Sequence, residues 1–282
     1  MTIRHIAEIE PMRAQVRTWR REGDTIGFVP TMGALHAGHV SLVEAARRLC
    51  DRVVASVFVN PTQFGPQEDL ARYPRDLEGD TRRLDGAGCD VVFTTTPGEM
   101  YPPGYATWVT VEGLTEGLCG ASRPGHFRGV TTVVTKLFAI VLPDHAFLGE
   151  KDRQQLVVIR RMAADLNLPV RVHGCPIVRE ADGLAMSSRN AYLSPDERQR
   201  ALGLIGGLRR AEAAFRQGER DARCLESLCR EEVARGAERI DYVQAVDPRD
   251  LRPVERAEPG TILLVAAHVG RTRLIDNLEL QA

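Results

Sequence analysis

The sequence has no long hydrophobic run and almost no net charge. No apolar stretch in its 282 residues approaches the roughly 20 residues that a membrane span requires. The formal net charge is -1, so the chain as a whole has no positive field that would attract nucleic acid. The N-terminal stretch MTIRHIAEIEPMR lacks the apolar core and small-residue cleavage site of a secretory signal. We therefore expect a cytoplasmic protein with neither a membrane nor a nucleic-acid partner.

The six cysteines lack the spacing that would give them a chemical role. None belongs to a CxxC pair, and none lies beside histidines at the spacing of a zinc site. Cys224 and Cys229 are five residues apart in an expected helix, where a disulfide or a shared metal has poor geometry. We interpret the cysteines as small, buried core residues.

What the sequence does contain is an ordinary globular composition, with 43% hydrophobic and 27% charged residues, in alternating patterns. Apolar runs predict strands over 25–29, 52–59, 90–95, 145–149 and 169–174. Amphipathic runs predict helices over 39–50, 76–88, 129–142 and 153–167, and residues 107–111 form a candidate extended piece. The composition of 129–142 also suits a strand, but its length and Lys136 favour a helix. This alternation predicts an α/β fold with a Rossmann-like parallel-sheet domain over residues 1–174.

The pattern changes after Cys175. The stretch SPDE at 194–197 has a serine N-cap, a proline at the first helical position and a glutamate at the third, which is typical of a helix start. It predicts a helix to about residue 217, then a helix over 223–235 and strands over 240–246, 261–269 and 272–280. We expect residues 175–282 to form a smaller C-terminal α+β domain, with the boundary near 174–193.

The segment VPTMGALHAGHVSLV, residues 29–43, joins an expected strand to an expected helix. Ligands of parallel sheets bind at the carboxyl ends of strands, where helix N-termini favour phosphate. Gly33 and Gly38 allow the backbone to approach a ligand closely. His36 and His39 are three residues apart, so one helical turn can present both on the same side. Because modest tuning gives histidine a positive charge near neutral pH, the pair is suited to stabilise a leaving pyrophosphate.

This loop resembles the HxGH signature of the nucleotidylyltransferase superfamily, which includes class I aminoacyl-tRNA synthetases. Those enzymes also carry a later KMSKS-like loop, and AMSSRN at 185–190 occupies that place here. Ser187, Ser188 and Arg189 offer hydroxyls and a fork of N–H donors that suit phosphate.

Six segments together resemble the pantoate–β-alanine ligase family: PTMGALHAGH, VFVNPTQF, RPGHFRGV, FLGEKDRQQ, VREADGLAMSSRN and RLIDN. The resemblance covers essentially the whole chain, and the segments keep the family's order and spacing. It implies ATP-dependent ligation of pantoate and β-alanine to pantothenate, on the route to coenzyme A. Pantoate would form pantoyl adenylate and release pyrophosphate, and β-alanine would then displace AMP.

The resemblance also implies roles for individual residues. The catalytic group would be His36, His39, Lys151, Ser187, Ser188 and Arg189. ATP would be bound by Met32, Gly33, Ala34, Leu35, His36, Ala37, Gly38, His39, Gly149, Glu150, Lys151, Asp152, Val178, Met186, Ser187, Ser188 and Arg189. Pantoate would be held by Gln63 and Gln155, whose amides both donate and accept hydrogen bonds, in a pocket shaped by Asn60 and Phe64.

Three further parts complete the expected site: a wall, a lid and a basic loop. By resemblance, residues 65–79 form a mobile wall, and the C-terminal domain forms a lid, so that water is kept from the adenylate. The basic loop that contains Arg123, His126 and Arg128 is a candidate contact for pantoate or its adenylate.

The resemblance further implies Mg²⁺ and a homodimer. Mg²⁺ would arrive with ATP, bridging phosphate oxygens and keeping several waters. The sequence shows no dedicated protein cage for the ion, and Asp76, Asp80 and Glu150 remain unassigned candidate ligands.

Two other functions stay open at this point. A nucleotidyltransferase that keeps the nucleotidyl group in its product would share the histidine loop and the sheet, but it would not account for NPTQF or Gln155. A non-catalytic RNA-interaction module descended from a synthetase is the second alternative, although the C-terminal unit has no aromatic or basic stripe for RNA.

Overall fold

A six-stranded parallel sheet organises the N-terminal part of the chain. The computed structural model describes residues 3–66 and 68–281, so the outer ends of the two expected domains and Gln67 of the expected wall lie outside it. The strands are β1 (Arg4–Ile6), β2 (Ile26–Thr31), β3 (Arg52–Val57), β4 (Val91–Phe93), β5 (His145–Gly149) and β6 (Arg171–Cys175). They lie in the order β1-β4-β3-β2-β5-β6, and all neighbours are parallel, which confirms the predicted α/β fold.

The order of the strands reverses at β2. β3 and β4 lie on one side of it, and β5 and β6 lie on the other. Counted from β2, the strands follow the order 3-2-1-4-5, which is that of doubly wound nucleotide-binding sheets. Such sheets bind ligands beyond the carboxyl ends of the two strands where the order reverses. Here those strands are β2 and β5, so the segments after Thr31 and Gly149 meet at one edge.

Helices cover both faces of this sheet. They are α1 (Ile9–Glu22), α2 (Ala37–Leu49), α3 (Leu77–Gly86), α4 (Pro97–Met100), α5 (Cys119–Ser122), α6 (His126–Val141) and α7 (Arg153–Asp165). On one face, Trp19 of α1, Phe138 of α6 and Ile159 of α7 join a single buried cluster. On the other face, Val43 of α2 and Leu84 of α3 are buried in a second cluster. Each such side chain contributes ~1.5–3 kcal/mol of burial free energy, which fixes the helices against the sheet.

The structure differs from the expectations at β1, at α1 and at residues 107–111. The sequence patterns above do not predict β1 or α1, although the buried Met12, Val16 and Trp19 of α1 have the 4- and 3-residue spacing of a helix. β1 has three residues and pairs with β4 alone, which is too short for a periodic signal. Residues 107–111 form neither a strand nor a helix; Val109 instead forms backbone hydrogen bonds with the hydroxyls of Thr131 and Thr132 on α6.

The C-terminal part contains three helices followed by three strands among its described residues. These are α8 (Pro195–Ala201), α9 (Gly203–Arg216), α10 (Ala222–Val233), β7 (Arg239–Val246), β8 (Ile262–Val269) and β9 (Thr272–Glu279). Ser194 caps α8 and forms the predicted capping box with Glu197. The single helix expected as far as residue 217 is divided at Leu202, whose N–H bonds the carbonyl of Gln199 three residues back instead of four.

The antiparallel sheet β7-β8-β9 joins the two parts of the chain. One face packs on α9 and α10 in a cluster that includes Phe215. On the other face, Ile262 and Leu264 pack against Leu118 and Val157 of the N-terminal part. This contact brings the stretch between β6 and α8 next to the carboxyl ends of β2 and β5.

Two expectations from composition can be compared with the fold. The cysteines are unpaired, and all are buried except Cys224, which is half-buried, as expected for small core residues. In the described part of the chain, none of the helices has both the length and the apolar character needed to span a membrane.

Candidate active site

A cleft opens at the carboxyl ends of β2 and β5. Its empty volume is about 1270 Å³ when the open solvent at its mouth is included. The expected site residues that line it are Met32, His36, Gly38, His39, Gln63, Gly149, Lys151, Asp152, Gln155, Val178, Met186, Ser187, Ser188 and Arg189. Residues from four separate segments of the sequence are therefore brought to one place.

Five expected ATP-binding residues do not line the cleft: Gly33, Ala34, Leu35, Ala37 and Glu150. The N–H groups of Ala34 and Leu35 instead donate to the carboxylate of Asp80 on α3, at 2.9 and 2.7 Å. Asp80 is 1% exposed, and burial raises its pKa although the two N–H groups oppose that shift. The carboxylate thus supports the histidine loop from behind, a role that no local pattern in the sequence indicates.

His36 and His39 hold the start of α2 through their ring Nδ1 atoms. Nδ1 of His36 accepts the N–H of Gly38 at 3.2 Å, and Nδ1 of His39 accepts the N–H of His36 at 3.3 Å. The two ring centres lie 4.1 Å apart. Because an acceptor Nδ1 carries no proton, each neutral ring has its proton on Nε2. Both histidines can therefore donate one hydrogen bond from Nε2.

The positive charge expected of this pair is not supported by the structure. Burial lowers the pKa of His36 to about 4, with Lys151 adding to the effect. Burial also lowers the pKa of His39 to about 3, and His36 makes the next largest lowering contribution. Protonation would in addition place a second N–H against the backbone donor that each Nδ1 now accepts. These lowered pKa values favour neutral histidines near pH 7, and each neutral ring can donate one hydrogen bond from Nε2.

Lys151 reaches the cleft from a single turn at the end of β5. Its Nζ lies 3.6 Å from the carboxylate of Asp152. Burial alone would raise the pKa of Asp152, but Lys151 and Arg189 outweigh burial and leave that pKa below its usual value. An ammonium and an ionised carboxylate therefore stand side by side at this strand end.

The turn that carries Lys151 is fixed by the C-terminal sheet. Nδ2 of Asn277, on β9, donates to the carbonyls of Glu150 and Lys151 at 2.9 and 3.0 Å. Asn277 is 2% exposed. Its neighbour Asp276 accepts two bonds from Arg179, at 2.7 and 3.0 Å. The RLIDN motif marked this strand in the sequence, but the roles of its last two residues depend on contacts between the two parts of the chain.

The serine–arginine turn is in contact with the segment expected to form a wall. Arg189 binds the carboxylate of Asp69 through two bonds of 2.9 and 2.8 Å. The hydroxyl of Ser188 lies 3.2 Å from that of Tyr73. Burial would raise the pKa of Asp69, but the Arg189 guanidinium has the larger, opposite effect. The pKa therefore lies below its usual value, and the carboxyl stays ionised. Neither Asp69 nor Tyr73 was expected in the site, because nothing in their spacing relates them to residues 120 or 115 positions away.

The residues expected in a basic loop support the cleft from the side, but His126 and Arg128 lie in the first turn of α6 rather than in a loop. Arg123 binds Glu68 of the wall through two bonds of 2.7 Å. Nδ1 of His126 donates to the backbone carbonyl of Gln63 at 2.8 Å, and burial, assisted by Arg123, lowers the pKa of His126 to about 4. Arg123 and His126 line a pocket that adjoins the cleft, whereas Arg128 lies over the ring of Trp108 at 4.3 Å.

The two glutamines of the GEKDRQQ stretch have different environments. Gln155 lines the cleft, as expected. Gln154 is buried and binds the backbone of Leu114, Gly117 and Cys119. Gln63 and Asn60 also line the cleft, together with four apolar side chains of α6: Val130, Val133, Val134 and Leu137. Phe64, expected beside them, packs edge-on against Tyr73.

The candidate metal ligands do not come together. Among residues 3–66 and 68–281, there is no group of three or more histidine, cysteine or acidic side chains that could hold a metal ion. Asp76 caps α3 by accepting the N–H of Gly79, and Asp80 is engaged by the histidine loop. The described residues thus provide no all-protein metal cage.

Known proteins resemble this chain over nearly its whole length. The family model described as pantoate-beta-alanine ligase matches residues 4–279. A pantothenate synthetase of Heliobacterium modesticaldum is 58% identical over 280 residues, which cover 99% of this chain and 100% of the relative. One from Syntrophotalea carbinolica is 56% identical over 273 residues and 96% of each chain.

Solved structures also match. The crystal structure of pantothenate synthetase from Thermus thermophilus has a TM-score of 0.94 and 48% identity, covering 99% of this chain and 100% of that one. A pantoate-beta-alanine ligase from Francisella tularensis, complexed with beta-gamma ATP and β-alanine, has a TM-score of 0.81 and 32% identity. It covers 98% of this chain and 97% of its own.

Proposed function

This chain belongs to the pantoate–β-alanine ligase family and is an ATP-dependent ligase of pantoate and β-alanine, and from that premise we propose how its own residues perform the reaction. The carboxylate of pantoate attacks the α-phosphorus of ATP, and the bond from that phosphorus to pyrophosphate breaks. The amine of β-alanine then attacks the carbonyl carbon of pantoyl adenylate. The bond from this carbon to the AMP oxygen breaks, and the amine releases its proton.

One observation carries this proposal: three phosphate-binding groups converge on a single cleft. These groups are the His36–His39 pair after β2, Lys151 after β5, and the Ser187–Arg189 turn. Adenylation needs donors that stabilise charge as pyrophosphate leaves. An ammonium, a guanidinium, two hydroxyls and two neutral imidazole N–H groups supply such donors without a separate proton donor.

The other half of the cleft suits pantoate. Pantoate is a carboxylic acid with two hydroxyl groups and a central carbon that bears two methyl groups. The amides of Gln63 and Gln155 can bind its hydroxyls and carboxylate. The apolar side chains of α6 that line the same cleft can cover the methyl groups. We therefore propose that pantoate contacts both these amides and α6, with its carboxylate directed at the phosphates.

The wall segment and the C-terminal part would keep water from the adenylate. Glu68 and Asp69 tie the wall to Arg123 and Arg189, which come from distant parts of the chain. A closed cleft matters because an acyl adenylate hydrolyses readily. We propose that residues 65–79 and the C-terminal domain act together as this cover.

The remaining features come from the family and stay part of the proposal. Mg²⁺ would enter as part of the substrate MgATP and would keep several of its waters. The protein is a cytoplasmic homodimer. Sedimentation analysis would give twice the chain mass of 31.2 kDa for a dimer and that mass alone for a monomer.

The proposal is tested by one isotope experiment. The protein is incubated with MgATP, β-alanine and pantoate labelled with ¹⁸O in its carboxylate. We expect AMP and pyrophosphate in equal amounts, one labelled oxygen in AMP and the other in the amide of pantothenate. Release of ADP would refute adenylation.

The same experiment distinguishes the alternative reaction. A nucleotidyltransferase would accumulate a nucleotidyl ester as its final product and would turn over without an amine. The family, the relatives and the amide pair of the cleft do not favour it.

A further inference from the structure

The amide of Asn60 has an orientation that its neighbours determine. Its Oδ1 accepts the backbone N–H of Thr62 at 3.4 Å and the hydroxyl of Thr62 at 3.0 Å. Its Nδ2 faces the backbone carbonyl of Gly129 at 3.2 Å. A backbone N–H can only donate and a carbonyl can only accept, so these contacts distinguish the oxygen of Asn60 from its nitrogen.

The orientation of the Asn60 amide determines the orientation of the Gln63 amide. The Nδ2 of Asn60 also donates to Oε1 of Gln63 at 3.0 Å. The oxygen of Gln63 is thereby engaged on the protein side. Its Nε2 donates one N–H to the sulfur of Met32 at 3.1 Å, which leaves the second N–H for another acceptor. Both Gln63 and Met32 line the cleft. Gln63 therefore presents an N–H donor, rather than an acceptor, to a ligand.

The next residue in this chain of contacts is Tyr101, which does not line the cleft. Its hydroxyl donates to Oδ1 of Asn60 at 2.8 Å and lies 3.3 Å from the hydroxyl of Thr62. Its ring packs against Tyr105 and Trp108, with ring centres 5.1 and 6.4 Å away. The aromatic cluster fixes the position of the hydroxyl, and the hydroxyl is the shortest contact that Asn60 makes.

The turn of Pro61–Gln63 is held against α6 by a glycine. A Cβ atom at Gly129 would collide with the carbonyl of Thr62 and would stand 2.7 Å from Cα of Gln63. Only the absence of a side chain allows this approach, which lets the Gly129 carbonyl reach Asn60. The turn is thus fixed from α6 on one side and from Tyr101 on the other.

We propose that Tyr101 is a positioning residue for pantoate: through Asn60, its hydroxyl holds the amide of Gln63 so that Nε2 donates to the acid. The inference rests on the proposed function, because it assigns the acceptor for that donor to pantoate. It makes Tyr101 a determinant of pantoate binding without any contact to the substrate.

The test compares Tyr101→Phe with Tyr105→Phe. Tyr105 lies in the same aromatic cluster and makes an edge contact with the Tyr101 ring, so its variant is matched in residue type and surroundings. We expect Tyr101→Phe to raise KM for pantoate by roughly 3- to 10-fold, the effect of one neutral hydrogen bond. KM for ATP and the thermal midpoint should stay near those of the parent, and Tyr105→Phe should resemble the parent throughout. An unchanged KM for pantoate, or an equal rise of KM for ATP, would overturn the inference.

A double variant shows whether Tyr101 acts through Gln63. In the Gln63→Ala background the amide is absent, so adding Tyr101→Phe should change kcat/KM for pantoate by less than twofold. Independent, multiplying effects would contradict the assigned path. If the parent enzyme makes no pantothenate, the proposed function itself fails, whereas an active parent with an unaffected Tyr101→Phe variant refutes this inference alone.

Discussion

At the scale of single residues, the two loop histidines combine a structural and a chemical task in one ring. Nδ1 of each accepts a backbone N–H at the start of α2, and the opposite nitrogen keeps the proton. Burial maintains this state, because it disfavours the charged imidazolium. The two tasks can be separated with amide side chains, whose polar atoms match either Nδ1 or Nε2 in position.

We predict that His39→Asn keeps the fold and loses most activity. Asparagine can replace the Nδ1 acceptor but does not reach the position of Nε2, whereas His39→Gln reaches that position. We expect kcat to fall roughly 10²–10³-fold for His39→Asn, the usual cost of one transition-state donor, and less for His39→Gln. Steady-state rates and thermal midpoints of both variants measure this. Equal activity of the asparagine variant and the parent would exclude the donor role.

The buried histidines also predict how stability depends on pH. The pKa values of His36, His39 and His126 are lowered to about 4, 3 and 4 in the folded chain, against 6.5 for an ordinary histidine. Between these values the unfolded chain binds more protons, so stability rises with pH there. The contribution is complete above about pH 6.5 and is lost as pH falls toward 4.

We therefore expect the thermal midpoint to fall between pH 7 and pH 4.5, and to fall less in a triple variant with asparagine at these three positions. His5→Asn, at an exposed site on β1, serves as the control and should keep the slope of the parent. If the triple variant and the parent had the same slope, the decline would have to come from other groups.

At the scale of elements, the wall segment is fixed by charge rather than by secondary structure. Before α3 begins at Leu77, its described residues contain one turn, Leu70–Arg72, and their position depends on Glu68 with Arg123 and on Asp69 with Arg189. Tyr73 adds an apolar contact through its buried ring. An element held by a few ion pairs can open without disturbing the core, which is what entry of the substrates requires.

We predict that Asp69→Asn increases the leak rate, which is the rate at which water hydrolyses the adenylate before β-alanine reacts. With one charge removed, the pair with Arg189 loses ~1 kcal/mol, and the wall should open about fivefold more often. The measurement is the rate of AMP release from ATP and pantoate without β-alanine, which should rise by a similar factor.

Arg72→Gln is the matched control for the wall, since Arg72 lies on the same segment with an exposed side chain. It should leave the rate of AMP release unchanged. A leak rate that stayed at the parent value in Asp69→Asn would show that this pair does not keep the wall closed.

At the scale of the whole molecule, the C-terminal sheet supports the proposed ATP site. Asn277 donates to the carbonyls of Glu150 and Lys151. Ile262 and Leu264 of the same sheet pack against the N-terminal part of the chain. The position of Lys151 therefore depends on residues more than a hundred positions further along the chain. Loss of this contact should affect ATP more than pantoate, because Gln63 and its supports belong to the other part.

We predict that Asn277→Ala raises KM for ATP roughly tenfold, as two buried hydrogen bonds are lost, and changes KM for pantoate by less than twofold. Leu225→Ala is the control for general destabilisation: it opens a cavity in the C-terminal core, costs ~2–5 kcal/mol and should leave KM for ATP unchanged. A lower thermal midpoint with an unaltered KM for ATP in Asn277→Ala would show that Asn277 is only structural.

Local patterns in the sequence predict most of the elements. The run HAFLG predicts β5 with its observed ends, and the SPDE stretch predicts the start of α8 with its capping box. Both depend on residues close in the chain, whose burial and capping can be read without knowledge of the rest. The expected phosphate-binding residues of the three loops also lie together, because each loop follows a strand or precedes a helix at the same edge.

The tertiary structure alone decides what lies between these elements. Periodicity does not show that β2 separates β3 from β5, although that order creates the cleft. It does not show that Asp80 supports the histidine loop, that Asp69 binds Arg189, or that Asn277 fixes Lys151. The charge of the histidines was open for the same reason, since a pKa depends on burial and on neighbours from other segments. The chain determines its elements through local geometry and hydrophobic patterning, whereas partners and protonation states are determined only when distant segments pack together.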